Sequence, residues 1–221
     1  MGHRSLKYTA CHEAGHAVVA HINGFVIRQI RLWRSPWLDD WKGEVIYEPR
    51  EWHCPACGST LHTGCYAEEF ADLQDSCRDC REKRFSFIER CLAGCAATSF
   101  LLPAEHNWDD SGCDRKEMFK LCSADKAERS ATLYEGLKSA TKKISQSIGV
   151  VEALRDQLVA KAGIGETAEM SAVEAEAIFS EPHVARSKWS VRRVLLVVLV
   201  AIYIIVWVRY RPCVATDTNK P

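Results

Sequence analysis

Five residues near the start of the chain, His12-Glu13-Ala14-Gly15-His16, form an HExxH pattern. On a helix, His12 and His16 sit one turn apart and their rings point the same way. Two imidazoles on one face can grip a zinc ion from one side. Glu13 then stands beside the metal, placed to take a proton from metal-bound water. That is the working centre of a metallopeptidase. The plain alternative is an accidental HExxH whose histidines serve only core or surface. The extended run from Ala10 to Val19 is much rarer by chance than the bare motif.

A second set of residues carries metal chemistry. Cys54-Pro55-Ala56-Cys57-Gly58 and Cys77-Arg78-Asp79-Cys80 make a CxxC–x19–CxxC pattern, within the window of a structural zinc site. Four thiolates around zinc leave no position for water, so this site is expected to hold a fold and do no chemistry. Two such motifs at this spacing are more economically explained by one metal than by redox chemistry. His53, His62 and Cys65 lie nearby, either as replacement ligands or as solvated bystanders. Residues 50–90 carry eight acidic against six basic side chains, so the ribbon has no basic footprint for nucleic acid.

The elements that must position these groups are partly visible. Ala17, Val18, Val19, Ala20 and Ile22 continue the first helix to a stop at Asn23-Gly24, and either Ser5 or Thr9 offers an N-cap. Gly15 weakens a helix by about 1 kcal/mol relative to alanine, which makes sense where the backbone must approach something closely. Residues 25–33 and 43–48 read as two strands, the second stopped by Pro49. An exposed strand edge beside the zinc would let a peptide lie down as an extra strand. Ile88, Cys91, Leu92, Cys95, Ala96, Ser99 and Phe100 repeat with helical spacing across 85–102, and Pro103 closes that helix. Cys91 and Cys95 fall on its apolar stripe and read as core residues.

The segment at 107–114 offers several oxygens and one thiol for the further ligand that zinc needs. Here the chain resembles a known family. His12-Glu13-Ala14-Gly15-His16-Ala17-Val18-Val19 is similar to the zinc motif of the FtsH family of membrane-bound, ATP-dependent zinc proteases. Leu92-Ala93-Gly94-Cys95-Ala96-Ala97 is similar to its small-residue helix, Gly112-Cys113-Asp114 to its Asn-Asp-Leu segment, and Leu154 through Ile178 to its closing helices. The resemblance covers roughly 6–49 and 85–180. It implies His12, His16 and Asp114 as ligands of a catalytic zinc and Glu13 as general base. Cys113 and Arg115 replace the family's Asn and Leu, which leaves Asp110, Asp109 and Cys113 as rivals to Asp114. The ribbon at 50–84 is an insertion relative to the family, and no GxxxxGK[ST] phosphate loop occurs.

From Asp114 to Ala162 the chain is helix-compatible, with Gly136 and Gly149 as expected breaks and Gly163-Ile164-Gly165 as its end. Ser171-Ala172-Val173-Glu174 matches a capping box that opens a short helix to Phe179. The fifteen residues 194–208 carry no charge and are bracketed by Arg192, Arg193, Arg209 and Arg211, with Trp189, Trp207 and Tyr210 at the flanks. Snorkelling arginines and interfacial aromatics extend this short run into a membrane helix at about 190–210, within a juxtamembrane segment at 183–211 and before a short tail at 212–221.

The chain has 221 residues, eleven cysteines and 29 basic against 29 acidic residues. The balanced charge argues against nucleic-acid binding. An odd cysteine count without a secretory signal argues for reduced thiols in a cytosol-like compartment. The expected fold is mainly α (α+β): a helical zinc-peptidase domain from 1–49 and 85–182, a small hairpin or sheet, the ribbon and a C-terminal membrane helix. The expected function is a membrane-anchored zinc endopeptidase, cytoplasmic in its catalytic part, holding one catalytic and one structural zinc. Its substrates would be flexible or unfolded chains, and the partners left open are a separate ATPase and further copies of the chain. The alternatives are a non-catalytic zinc-binding membrane adaptor, marked by four protein ligands at the first site, and a soluble peptidase whose last helix is an oligomer contact.

Overall fold

The computed structural model describes residues 4–37, 40–106, 112–122, 125–163 and 165–181, with the side chains of 112, 113 and 115 excepted. The architecture is mainly α with a small antiparallel sheet. Helix α1 (Leu6–Ile22) runs through the middle. Ser5 caps it by accepting a hydrogen bond from the Tyr8 amide at 3.0 Å. Every residue from Tyr8 to Ala20 is buried, so the helix has no solvent face over that stretch, and its alanines let neighbours close on all sides. The chain leaves it through Asn23 and the left-handed Gly24, φ 76°.

Strands β1 (Ile27–Arg34) and β2 (Trp41–Tyr47) form an antiparallel hairpin in which Ile30 faces Val45. A third strand, β5 (Thr167–Ser171), pairs on the other side of β1, with Met170 opposite Ile30. The order β2-β1-β5 leaves β2 with one free edge among the described residues. Strand β5 falls within the stretch from Leu154 to Ile178 that the resemblance reads as closing helices. Its signal is the alternation that buries Ala168 and Met170.

The segment from 50 onward holds a two-stranded ribbon, β3 (Trp52–His53) and β4 (Thr60–Leu61), followed by the short α2 (Ala67–Ala71). Helix α3 (Arg78–Leu101) begins inside the expected ribbon, seven residues before the expected 85, with Cys77 as its N-cap. It ends at Leu101, just ahead of Pro103. Helices α4 (Gly112–Leu121), α5 (Lys126–Gln146), α6 (Ile148–Ala162) and α7 (Ala172–Ser180) complete the fold. α3 and α6 pack against α1, and α5 packs against α3. The core between them includes Val18, Val19, Ile144, Leu154 and Leu158.

Gly136 does not break a helix. It lies within α5, where a Cβ would come 2.9 Å from Leu92 Cδ1, so its small size permits close packing on α3. The break between α5 and α6 falls at Ser147, two residues before Gly149. Ser171 and Glu174 do form the capping box of α7. Among the described residues no helix is long and apolar enough to cross a membrane. The apolar run at 194–208, with the whole of 183–221, lies outside them.

Candidate metal centres

Helix α1 places His12 and His16 one turn apart, with ring centroids 4.6 Å apart and ring planes nearly perpendicular. Their Nε2 atoms stand 3.0 Å apart. The Asp114 carboxylate, from the first turn of α4, reaches both: Oδ2 is 3.0 Å from His12 Nε2 and 3.2 Å from His16 Nε2. These spacings are close to the edges of a tetrahedral zinc shell, about 3.3 Å for N and O ligands. The side chains of His12 and His16 are 7% and 8% exposed and that of Asp114 is 30%, so the centre opens on the aspartate side. Asp109 and Asp110 lie outside the described residues, as does the side chain of Cys113.

The neighbours prepare the ligands. His16 Nδ1 donates to the carbonyl oxygen of Arg90 at 2.7 Å, which assigns the tautomer and turns the Nε2 lone pair to the centre. His12 Nδ1 is buried without a hydrogen-bond partner among the described residues. Gly94 of α3 makes room for the His12 ring, because a Cβ there would fall 2.5 Å from ring atoms. Gly15 lets α1 and α3 approach, since a Cβ would lie 2.5 Å from the carbonyl oxygen of Ala93. That is the close approach its place in a helix suggested.

The electrostatics suit a cation. Burial opposes charge on His16, but Asp114 and Glu13 overcome it and hold the imidazole at about 9. Burial lowers His12, against the pull of Asp114. Burial also opposes the charge of Asp114, yet the two histidines hold its carboxyl well below the usual range. With two ring nitrogens and a carboxylate oxygen this close, the cluster needs a shared proton or a metal ion at its centre. Burial raises Glu13, one residue along α1 from His12, to about 7. That value suits a proton acceptor at neutral pH.

The second cluster is made by four sulfurs. Cys54 and Cys57 sit in the turn between β3 and β4, which closes through the Cys54 amide to the Ser59 carbonyl at 2.8 Å and through the left-handed Gly58, φ 76°. Cys77 occupies the N-cap position of α3 without a side-chain cap bond, and Cys80 lies in the first turn. Cys54 Sγ is 3.5 Å from Cys77 Sγ, and Cys57 Sγ is 3.4 Å from Cys80 Sγ. Hydrogen bonds from Ser59 lower the Cys57 thiol, whereas burial raises Cys54 and Cys80. The donor atoms of each cluster lie within 4.8 Å of one another, and each set could hold a metal ion. His53 bonds Thr60 at 3.0 Å and pairs with Glu51, and Cys65 bonds the Thr63 carbonyl; neither belongs to the four-cysteine cluster, and nor does His62.

Three further residues beside the first centre were not visible in the sequence. His106 Nδ1 is 3.0 Å from the Thr98 hydroxyl, and burial with the charge of His12 lowers it to about 4. Gly43 on β2 abuts Glu13, and the Arg90 carbonyl orients His16. None of the three has a spacing that marks it, because each acts through tertiary contact. A cleft of about 640 Å³ lies elsewhere, between α7 and the turn from α1 to β1, and shares no residue with either cluster. Compared with known proteins, the chain matches no family model and no curated protein.

Proposed function

We propose that this chain is a membrane-anchored zinc endopeptidase that cuts flexible or unfolded polypeptides. The observation that carries the reading is the convergence of His12, His16 and Asp114 on one point with the buried Glu13 beside them. Two imidazoles and a carboxylate, with one side open, suit a catalytic zinc better than a structural one. Zinc held there would supply a Lewis acid for the scissile carbonyl and acidify a water molecule. Glu13 accepts the proton of the attacking water and returns it to the leaving amine. The free edge of β2 lies next to Glu13 through Gly43 and offers an extended peptide a strand to pair with.

The four-cysteine cluster takes a structural zinc. The uncharged run at 194–208, between paired arginines, supports a single membrane span with the catalytic part on the cytoplasmic side. A peptidase of this kind acts on chains that are already unfolded or that a separate ATPase delivers. The test is cleavage of a labelled unstructured peptide by the full chain, with zinc and after chelation. Zinc-dependent cleavage lost in Glu13→Gln is the expected result. Equal cleavage by both forms overturns the catalytic assignment, and metal binding without cleavage by wild type favours an adaptor.

A further inference from the structure

Arg90 is 5% exposed, a costly place for a guanidinium, and it is held there from four directions. Its guanidinium carbon lies 4.1 Å from the ring centre of Phe87, 4.3 Å from that of Tyr47 and 4.7 Å from that of Phe25. Its Nη2 donates to the carbonyl of Cys65 at 3.0 Å. Its Nη1 is buried with no hydrogen-bond partner among the described residues, which leaves the aromatic faces to satisfy that part of the charge. Phe25 belongs to the turn from α1 to β1, Tyr47 to the end of β2, Phe87 to α3, and Cys65 to the loop that leaves the ribbon. Arg90 therefore joins three parts of the fold at one cation. Its own carbonyl is the atom that takes the His16 Nδ1 hydrogen.

The ribbon is fastened to the same helix at both ends. Cys77 and Cys80 open α3, where no side-chain cap bond occurs among the described residues, and their sulfurs meet those of Cys54 and Cys57 at 3.5 and 3.4 Å. Ten residues further on, about 15 Å along the helix, the ribbon's Cys65 carbonyl meets Arg90. Between these points Arg84 bonds the Phe70 carbonyl at 2.9 Å, and Phe70 packs on Phe87 with ring centres 4.5 Å apart.

We propose that Arg90 is a positioning residue of the His12–His16–Asp114 centre, through which the metal-loaded ribbon holds His16 in its ligating orientation. The proposal rests on the reading of that cluster as a metal centre. It makes the ribbon a support for the first metal rather than a separate module. Loss of the four-cysteine metal then weakens the first centre without any ligand of that centre being changed.

The experiment uses the full chain loaded with cobalt(II), whose ligand-field bands report the His/Asp centre while sulfur-to-cobalt charge-transfer bands report the cysteines. Chelator competition measures affinity at the His/Asp centre. Arg90→Met keeps the main-chain carbonyl that His16 uses but removes the hydrogen bond to Cys65 and the charge between the rings that hold this part of α3 in place. It is expected to weaken affinity about tenfold, the lower end of what disturbing an outer-shell partner costs. Arg90→Lys, which keeps a cation over the rings and a donor for Cys65, restores most of the affinity. Lys83→Met is the control. Lys83 sits 4.8 Å from the centre of the same Phe25 ring but has no link to His16, and its loss should leave affinity within about twofold. Arg90→Met protein that keeps its thiolate bands and binds cobalt at the His/Asp centre as tightly as wild type overturns the proposal. If Arg90→Met does not fold, Cys54→Ser decides: affinity at the His/Asp centre falls at least about tenfold, or the coupling does not exist. Wild-type protein that holds no cobalt at His12 and His16 overturns the metal-centre reading and the proposal with it.

Discussion

Gly43 of β2 and Glu13 of α1 stand so close that a Cβ on Gly43 would lie 2.5 Å from Glu13 Cγ and 2.9 Å from its Oε1. The edge strand and the carboxylate therefore share one space, and the glycine leaves it to the carboxylate. A methyl group there moves Glu13 before it moves the backbone, because the carboxylate end of a side chain yields first. We expect Gly43→Ala to lower kcat/KM for an unstructured peptide by about a hundredfold, the scale of a 1 Å misplacement. Zinc content should be unchanged, since no ligand is touched. Full activity in Gly43→Ala would show that the position of Glu13 is not limiting.

Gly94 plays the same part for a ligand. A Cβ on it would fall 2.5 Å from Cε1 and Nε2 of His12, and an imidazole gives way only by rotating off its axis. Gly94→Ala should cost about 1–3 kcal/mol of stability through overpacking and weaken zinc binding by at least about tenfold. Denaturant unfolding and chelator competition on one preparation separate the two effects. Unfolding that worsens with zinc affinity intact would mean that α3 shifts instead of the ring.

What was legible in the sequence is what spacing encodes. HExxH fixes two rings on one helix face, and paired CxxC motifs fix four sulfurs; Asp114 has no such spacing to His12 and His16 and is reached only through the family resemblance, with Asp109, Asp110 and Cys113 as rivals. The first helix and its stop, the β1–β2 hairpin and the α7 capping box were legible for the same local reasons. Gly94, Gly43 and Arg90 were not, because their effect depends on which helix or strand meets which in space. The ligand spacing of Cys77 hides that the same residue is the N-cap of a helix, so the apolar period points to a start at 85 while α3 starts at Arg78. The propensity of Gly136 points to a break, but its packing against Leu92 decides for the helix. Strand β5 is five residues long and carries a weak alternation that only pairing with β1 makes into a strand.

Glu89 and Lys143 tie α3 to α5 in a nearly dry setting. Lys143 Nζ is 2.6 Å from Glu89 Oε2 and 2.6 Å from Asn23 Oδ1, and the Glu89 side chain is 4% exposed. Asn23 also donates to Glu89 at 3.1 Å, which joins the end of α1 to the same knot. Removing the cation leaves a buried carboxylate with one neutral donor set. Lys143→Met should destabilise the fold by about 3 kcal/mol, and the double variant Glu89→Leu/Lys143→Met should recover much of it. Urea midpoints at constant m-value test this. A double variant no more stable than Lys143→Met would show that the charge pair is not the source of the loss.

Glu174 gives a pH signature far from either cluster. Its carboxylate accepts from Lys161 Nζ at 2.7 Å and from the amide and hydroxyl of Ser171 at 2.8 and 2.9 Å. The Lys161 bond, then those from Ser171, lower its folded value from 4.5 to about 2. A depressed carboxylate stabilises the fold where it is ionised in both states. The contribution is therefore complete above about 4.5 and is lost as pH falls through about 2. The side chain is 39% exposed, so solvent screening reduces the linkage value to about 1 kcal/mol, the usual worth of a helix cap. Urea unfolding of wild type and Glu174→Gln, both kept in chelator so that metal release does not intrude, should differ by that amount at pH 7. The difference should shrink below pH 4.5 and be nearly gone at pH 2. A difference that stays constant across this range would assign the effect to the shape of the side chain and not to its charge.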